Sequence, residues 1–478
     1  MGKLTAQIDQ SQVLEAYNTG ICLISQIAGL DQTIQNCYTN LINISSLSSS
    51  AATAAIDLGQ HSLALEWLEQ AHDRALADKF VQVSKALESA ESITYTQDTS
   101  LSTKVSIRNE THTHIKLAQK WEQLLVRVCS ITQFEDFLLP ASYSTLIKNL
   151  PTSGHIVVVN IHKDHSDALI LTSGNKNPLY IALSQFSYRI ADNLHHDLKV
   201  LLHDSRIWIQ DHWGSISSCG SHCYKGGGAA DIYFISLTKP LSNLPHIWWC
   251  VTGPLAFLSI HTAEIYTLSE STPRICNKLS DFFVSSYIPN VSSLVKRTQK
   301  SDKINQEKVG MLIISQPETP KLHPTPETTW EVQVLQQLLS KFKIKHLSLE
   351  SGDATISRMS SAAFILPVML LKIPLNPSKV ISHQLSKKKL AEADLEFLSA
   401  CQTSTGDENF LKKLFIWLEE WSGGNYDGYG PKLAEAYYKN LLSHNPLYET
   451  GSKTLNSDGA AQALHDAIQK MRQILGDS

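Results

Sequence analysis

Apolar residues recur at helical spacing through the first third of the chain. Two runs before residue 45 place apolar side chains three or four positions apart, which puts them on one face of a helix. The runs consist of Val13, Leu14, Tyr17, Ile21, Ile24 and Ile27, and of Ile34, Tyr38, Leu41 and Ile44. Further helices are predicted at residues 80–93 and 113–129. The pattern therefore predicts a helical region over residues 1–133.

Residues 59–71, GQHSLALEWLEQA, carry small side chains where two helices would approach closely. Gly59, Ala64 and Ala71 supply the small positions, and Trp67 is placed to fill the groove between neighbours. This spacing resembles one half of a tetratricopeptide unit. Only one unit matches, so a degenerate repeat and a generic helical hairpin both stay open. A helical array of this kind usually holds partner proteins or restrains a neighbouring domain.

From about residue 153 the pattern changes to β-branched runs with a period of two. Residues 155–160 and 168–171 are predicted strands, and residues 163–166 form a turn between them. The aromatic and β-branched residues that follow His246 predict another buried strand. Gly253-Pro254 then forces a turn before a second apolar run.

The last third of the chain alternates strands with helices. A strand at residues 311–315, an amphipathic helix at 327–342 and a strand at 344–349 imply a right-handed parallel crossover. A further strand is predicted at 395–398. Two closing helices are predicted at residues 432–442 and 460–475. This order predicts a sheet flanked by helices.

Cys401 follows the strand at 395–398, in a turn of small and polar residues. A buried strand that ends in a tight polar loop is how α/β proteins present a reactive side chain at the carboxyl edge of a sheet. A thiol at that edge acts as a nucleophile if a neighbouring base or dipole lowers its pKa. The alternative interpretation is a buried cysteine that closes the strand.

Composition narrows the functional classes. The net charge of −4 and the short basic runs give no electrostatic reason to expect nucleic acid. Eight cysteines without framework spacing favour reduced thiols and a cytoplasmic protein. The N-terminus lacks the apolar core of a signal peptide, and the longest apolar stretch, residues 362–375, is too short to span a membrane. We therefore expect no membrane association.

Two glycine- and cysteine-containing segments do not meet the requirements of cofactor sites. Cys219, His222 and Cys223 lack a second ligand pair at the spacing of a structural zinc site. The glycines at 226–228 lack the lysine and hydroxyl residue of a phosphate-binding loop. We expect neither a metal nor another cofactor.

Three stretches resemble the CHAT family, the caspase-like domains found with tetratricopeptide repeats. Residues 397–409 read FLSACQTSTGDEN, which is similar to the cysteine motif of that family. Residues 248–263 resemble the WWxxTGPLxFLxIHxA segment of fungal CHAT proteins, and residues 284–289 continue the likeness. The resemblance implies a tetratricopeptide-like helical array followed, over residues 134–478, by a three-layer α/β CHAT domain with a caspase-like core at about 305–478.

The resemblance also implies a chemistry. In the family, a histidine at the end of one strand polarises a cysteine at the end of the next, and the thiolate attacks a peptide carbonyl. Cys401 matches the nucleophile, whereas His261 matches a family position that shapes the fold. The H-x-x-C-H-G-like motif of the family is missing. Between residues 354 and 395 the only histidine is His383, in a segment that resembles the linker helix of the family.

Residues 358–364, RMSSAAF, stand where the histidine motif belongs, and residues 411–424 depart from the family a second time. The resemblance calls for a central strand near residues 363–371. Because Pro367 removes one ladder hydrogen bond, we expect a distorted segment there.

Two functions follow from these observations. The favoured hypothesis is a catalytically impaired CHAT protein, a pseudoenzyme that acts as a scaffold or regulator, because general-base assistance and thiolate formation are lost together. The alternative is an active cysteine peptidase with Cys401 as nucleophile and a base supplied from elsewhere. In both, the helical region would engage a protein partner or a peptide substrate.

Overall fold

The computed structural model shows a mixed α/β protein. It describes residues 10–27, 34–72, 142–204, 244–258, 260–262, 264–265, 277–301, 311–315, 326–350, 368–371, 396–399, 429–443 and 459–475. The helices are α1 (Gln10–Ile27), α2 (Ile34–Asp57), α3 (His61–His72), α4 (Tyr143–Leu146), α5 (Tyr188–Asp204), α6 (Val291–Ser301), α7 (Pro326–Lys341), α8 (Tyr429–Ser443) and α9 (Ala460–Leu475).

The strands are β1 (His155–Ile161), β2 (Ser166–Leu171), β3 (Leu179–Ala182), β4 (His246–Val251), β5 (Glu264–Ile265), β6 (Asn277–Lys278), β7 (Val284–Tyr287), β8 (Met311–Ser315), β9 (His346–Glu350), β10 (Val368–Leu371) and β11 (Glu396–Ser399). The chain divides into two compact units. The first comprises Met1–Ala191, Trp249–Leu255 and Ile288–Gln299, and the second comprises Asp192–Trp248, Ala256–Tyr287 and Lys300–Ser478.

Helices α1, α2 and α3 confirm the predicted helices over residues 10–27 and 34–72. Helix α2 packs against both α1 and α3. Fully buried alanines in α2 and α3, among them Ala55 and Ala64, let these helices approach closely, and Trp67 is buried beside them. The helices predicted at residues 80–93 and 113–129 lie outside the described residues.

The turn between α2 and α3 depends on Gly59. Its φ of +69° lies in the left-handed region, which glycine adopts without strain. The N–H of Gln60 donates to the carbonyl of Ala55, and the N–H of Gly59 donates to the carbonyl of Ile56. These bonds form a Schellman motif, which satisfies the last carbonyls of α2.

A five-stranded mixed sheet has the order β3-β2-β1-β4-β7. Strands β1 and β2 pair antiparallel with Val159 opposite Ala168, and β3 pairs antiparallel with β2. The predicted strands at 155–160 and 168–171 are thereby confirmed. Nearly every residue of β1 and β2 is buried, which explains their continuous apolar runs. After β4, Gly253 has a φ of +60° and begins a 3₁₀ turn, as the Gly-Pro pair predicts.

A second, four-stranded sheet has the order β11-β10-β8-β9, and all of its strands run parallel. It contains the three strands that the sequence predicts in the last third of the chain. Strand β9 begins two residues later than predicted, because Lys343 takes a φ of +55° and the N–H of Ile344 bonds back to Leu339. Residues 342–345 thus form the connection between helix α7 and strand β9.

The prediction of a distorted segment near residues 363–371 is wrong for the last four of these residues, which form strand β10. Strand β10 pairs in register with β8 on one side and with β11 on the other. Pro367 immediately precedes the strand in the sequence, so the ladder of β10 loses no donor.

The core beside the parallel sheet joins β8 to helices α7, α8 and α9. Met311 and Leu339 are fully buried there, and burial of one such side chain contributes about 1.5–3 kcal/mol. The core also includes Ile313, Val332, Leu335, Leu433, Tyr437, Leu441, Ala467 and Met471. Among the helices that the structure describes, none is both long enough and apolar enough to cross a membrane.

Candidate functional site

The carboxyl ends of the parallel strands meet at one edge of the four-stranded sheet. Leu371, the last residue of β10, lies opposite Ser315 of β8 and opposite Ser399 of β11. Ser315 in turn lies opposite Glu350, the last residue of β9. All four strands therefore end in register at this edge. Cys401 is the second residue after β11 in the sequence, and it lies outside the described residues.

The four strands carry a single histidine, and it lies at the other edge. His346 is the first residue of β9 and pairs with Met311, the first residue of β8. The strand beside β11 is β10, which ends at Leu371 and is followed in the sequence by Lys372 and Ile373. Among the strand residues at the carboxyl edge, no imidazole is present.

His261 is a buried group in the hydrogen-bonding network of the fold. Its backbone N–H donates to the Tyr287 hydroxyl at 3.1 Å, and its Nδ1 lies 2.8 Å from the same hydroxyl oxygen. Burial holds the pKa of His261 well below its ordinary value, and Arg472 and His465 lower it further. The ring is thus an enclosed part of the packing around Tyr287.

Ser50, His162 and Asp164 lie in the order of a serine-hydrolase triad. Ser50 Oγ is 3.1 Å from His162 Nε2, and His162 Nδ1 is 3.4 Å from Asp164 Oδ2. The directions of the hydrogen bonds are incompatible with a catalytic role. The backbone N–H of Asp164 donates to Nδ1 of His162, which leaves the ring proton on Nε2. Ser50 donates its own proton to the Ser46 carbonyl. A general base needs a bare Nε2 facing the hydroxyl, so these contacts join α2 to the end of β1 without activating Ser50.

Asn160 of β1 anchors a second polar cluster on helix α2. Its Nδ2 donates to the carbonyl of Ser49 at 3.2 Å and to Thr53 Oγ1 at 3.0 Å. Its Oδ1 accepts from Ser49 Oγ at 2.7 Å and from Thr252 Oγ1 at 3.5 Å. Asn160 is almost wholly buried, so these bonds replace the water it loses. The cluster fixes α2 on the sheet.

A third cluster gathers ionisable groups around the β1–β2 turn. His165 Nδ1 lies 2.5 Å from Asp167 Oδ2, and His165 Nε2 lies 3.1 Å from Asp57 Oδ1. The Tyr180 hydroxyl donates to Asp167 Oδ1 at 3.1 Å, and the ring of His61 stacks on the ring of Tyr180. Sequence analysis missed this cluster. The one local signal is the spacing of His165 and Asp167, which puts both side chains on one side of the chain as β2 begins.

Within the part of the chain that the structure describes, no group of three or more histidine, cysteine, aspartate or glutamate residues could hold a metal ion. The segment with Cys219, His222 and Cys223 lies outside that part.

No protein-family model matches the sequence, and no curated protein matches it either.

Proposed function

We propose that the chain is a caspase-like protein of the CHAT type, impaired as a peptidase, that acts as a scaffold or regulator of other proteins. The observation that carries the proposal is the sequence of β10, the strand that pairs with β11. It ends in Leu371 and leads into Lys372 and Ile373, where the family has its histidine. His346 belongs to the amino-terminal edge of the same sheet.

A cysteine peptidase needs a group that takes the thiol proton. An imidazole close to the sulfur makes the thiolate, which attacks the peptide carbonyl, and the same ring returns the proton to the leaving amine. Neither a leucine nor an isoleucine side chain can exchange a proton, and a lysine ammonium has no acceptor. Removing the base from such a pair costs orders of magnitude in rate.

The helical region supports a binding role. Helices α1, α2 and α3 pack successively, as the elements of helical repeat proteins do. Repeat helices present extended surfaces to protein partners, and the proposed partner is a protein or an extended peptide that contacts this region. Because the chain has a net charge of −4 and an ordinary composition, we propose no role in nucleic-acid binding. We also propose a cytoplasmic location.

An active cysteine peptidase is the second candidate. It is favoured by the parallel sheet, whose strand β11 leads toward Cys401 at the edge where α/β enzymes place their reactive groups. Its base would have to come from outside the four strands, for example from His323 or His383, both of which lie outside the described residues.

Cleavage of a peptide library by the full chain separates the two candidates. Under the proposal, the wild-type chain and the Cys401→Ala variant give the same background level of products. A set of cleavage products that disappears in Cys401→Ala would establish the peptidase and refute the pseudoenzyme. A Cys401→Ser variant serves as a second control, since a serine without a base should also be inactive.

A further inference from the structure

Strand β3 is an edge strand of the five-stranded sheet, and among the described strands it pairs with β2 alone. Native sheets usually protect such an edge with charged side chains, a proline or a bulge, because its unpaired backbone groups bind other strands. The four residues of β3 read LYIA and include neither a charge nor a proline, and their register with β2 has no bulge. This edge is therefore open to another strand.

The hydrogen bonds between β3 and β2 determine which backbone groups of β3 face outward. The N–H of Leu183 donates to the carbonyl of Ser166, which lies opposite it in the register of the two strands. Because hydrogen-bonded and non-bonded pairs alternate along antiparallel strands, Ile181 also directs its backbone groups toward β2. Tyr180 and Ala182 direct theirs away from the sheet. Among the described residues, none bonds to the outward N–H and C=O groups of these two residues.

The side chains of β3 alternate between the two faces of the sheet. Tyr180 and Ala182 share one face, on which the Tyr180 ring stacks on the ring of His61. Leu179 and Ile181 share the other face, where Leu179 is 57% exposed and Ile181 is half-buried. The edge thus offers a strand both backbone hydrogen bonds and an apolar contact.

The edge of β3 is complementary to a second copy of itself in an antiparallel register centred on Ile181. When Ile181 lies opposite Ile181 of the second copy, Tyr180 of each copy lies opposite Ala182 of the other. These are the residues with outward backbone groups, so each such pair exchanges both of its hydrogen bonds. A two-fold axis relates the copies, and the same surface serves on both sides.

The side chains fit the same register. The small Ala182 leaves room opposite the ring of Tyr180, and the exposed Leu179 comes opposite Leu183 of the second copy. No charged residue of β3 enters the pairing, so like charges do not oppose each other. A shift of the register in one direction would bring in Pro178, which has no N–H, and a shift in the other would reach residue 184, which lies in a turn.

We propose that two copies of the chain associate through β3, edge to edge and antiparallel, and join their five-stranded sheets into one. The contact consists of one short strand from each copy, so the association is weak and depends on concentration. It involves neither Cys401 nor any peptidase chemistry, and its test is therefore separate from that of the proposed function.

Sedimentation equilibrium of the full chain, at concentrations from about 1 to about 100 μM, tests the association. We expect the average mass to rise with concentration toward twice the 53.1 kDa of one chain. Ala182→Pro removes an outward N–H and leaves the bonds to β2 in place, so it should weaken the association by about tenfold or more. Ala182→Ser is the matched control, because it keeps the N–H and should associate as the wild-type chain does.

Ile181→Cys gives a second readout that does not depend on the proline variant folding. In the proposed register the two substituted positions face each other with Cα atoms about 4.5 Å apart, which is within reach of a disulfide. Mild oxidation should give a covalent dimer linked at residue 181, whereas Asn177→Cys, at an exposed position that does not face itself, should give far less. Equal cross-linking of these two variants would overturn the proposal. So would a wild-type chain that stays single at every concentration, which would leave the edge to an extended segment of another protein.

Discussion

Glu69 accepts a hydrogen bond of 2.6 Å from the backbone N–H of Val291, 222 positions further along the chain. The same carboxylate accepts the N–H and the hydroxyl of Ser292, at 3.0 Å and 2.8 Å. These groups begin helix α6, whose first N–H groups have no partner within the helix. The Asn290 side chain accepts the N–H of Ser293. Glu69 of helix α3 thus places a negative charge at the amino-terminal end of helix α6, where the helix dipole is positive.

Replacement of Glu69 by glutamine should destabilise the protein. The amide keeps the size of the side chain but removes the negative charge and turns one acceptor into a donor that faces N–H groups. We expect a loss of about 2 kcal/mol in the free energy of unfolding, measured by denaturant titration. Glu15→Gln is the control, since Glu15 is exposed on α1. Equal stability of the two variants would contradict the capping role.

Asn160→Ala should be more damaging still. It removes the side chain that bonds to Ser49, Thr53 and Thr252, and leaves the hydroxyl groups of Thr53 and Thr252 in a buried site. We expect a loss of about 3 kcal/mol in the free energy of unfolding. The exposed residue Asn177 gives the control variant Asn177→Ala, which should change stability by less than about 0.5 kcal/mol. If Asn160→Ala lost as little free energy of unfolding as Asn177→Ala, water would be shown to replace the hydrogen bonds of Asn160.

The elements that were predicted well are those whose conformation is determined by residues close together in the sequence. Strand β8 and helix α9 begin and end where the sequence predicts, because continuous apolar runs and helical spacing are written in neighbouring residues. Strand β3 was missed, since its four residues lie at the sheet edge and have no buried pattern. Strand β10 was expected to be irregular because of Pro367, yet it begins one residue after that proline.

The polar clusters could not be predicted for a different reason. Glu69 and Val291, or Asp57 and His165, are brought together by the packing of distant segments, and no spacing along the chain records that contact. A glutamate on a helix is ordinarily a solvated residue. Cys401 differs from these clusters. Its surroundings were predicted from neighbouring residues in the sequence, whereas the structure describes only strand β11, which precedes it.

The stability of the protein should fall in acid because of His246. Burial lowers the pKa of His246 to about 4, and its Nε2 lies 2.9 Å from Ser286 Oγ. A histidine whose pKa is depressed in the folded state stabilises the protein fully above its ordinary pKa. That contribution is lost as the pH falls from about 6.5 toward 4, and it amounts to about 3 kcal/mol at most. Burial also lowers the pKa of His155 and His465, which adds in the same direction.

Unfolding of His246→Gln at a series of pH values measures this contribution. The variant should lose less stability than the wild-type chain between about pH 6.5 and about pH 4, because the amide does not titrate. His196→Gln removes an exposed ring and should leave the acid dependence unchanged. The same acid dependence in His246→Gln and in the wild-type chain would refute the assignment.

Under the proposed function no base activates Cys401, and alkylation of that thiol at a series of pH values measures whether this is so. The full chain is labelled with iodoacetamide from about pH 6 to about pH 9.5, and the peptide containing Cys401 is quantified by mass spectrometry, with the unfolded chain as reference. We expect slow labelling at neutral pH and a midpoint near that of an ordinary thiol, about 8.5. Fast labelling at neutral pH, with a midpoint well below 7, would show an activated thiolate and contradict the proposed function.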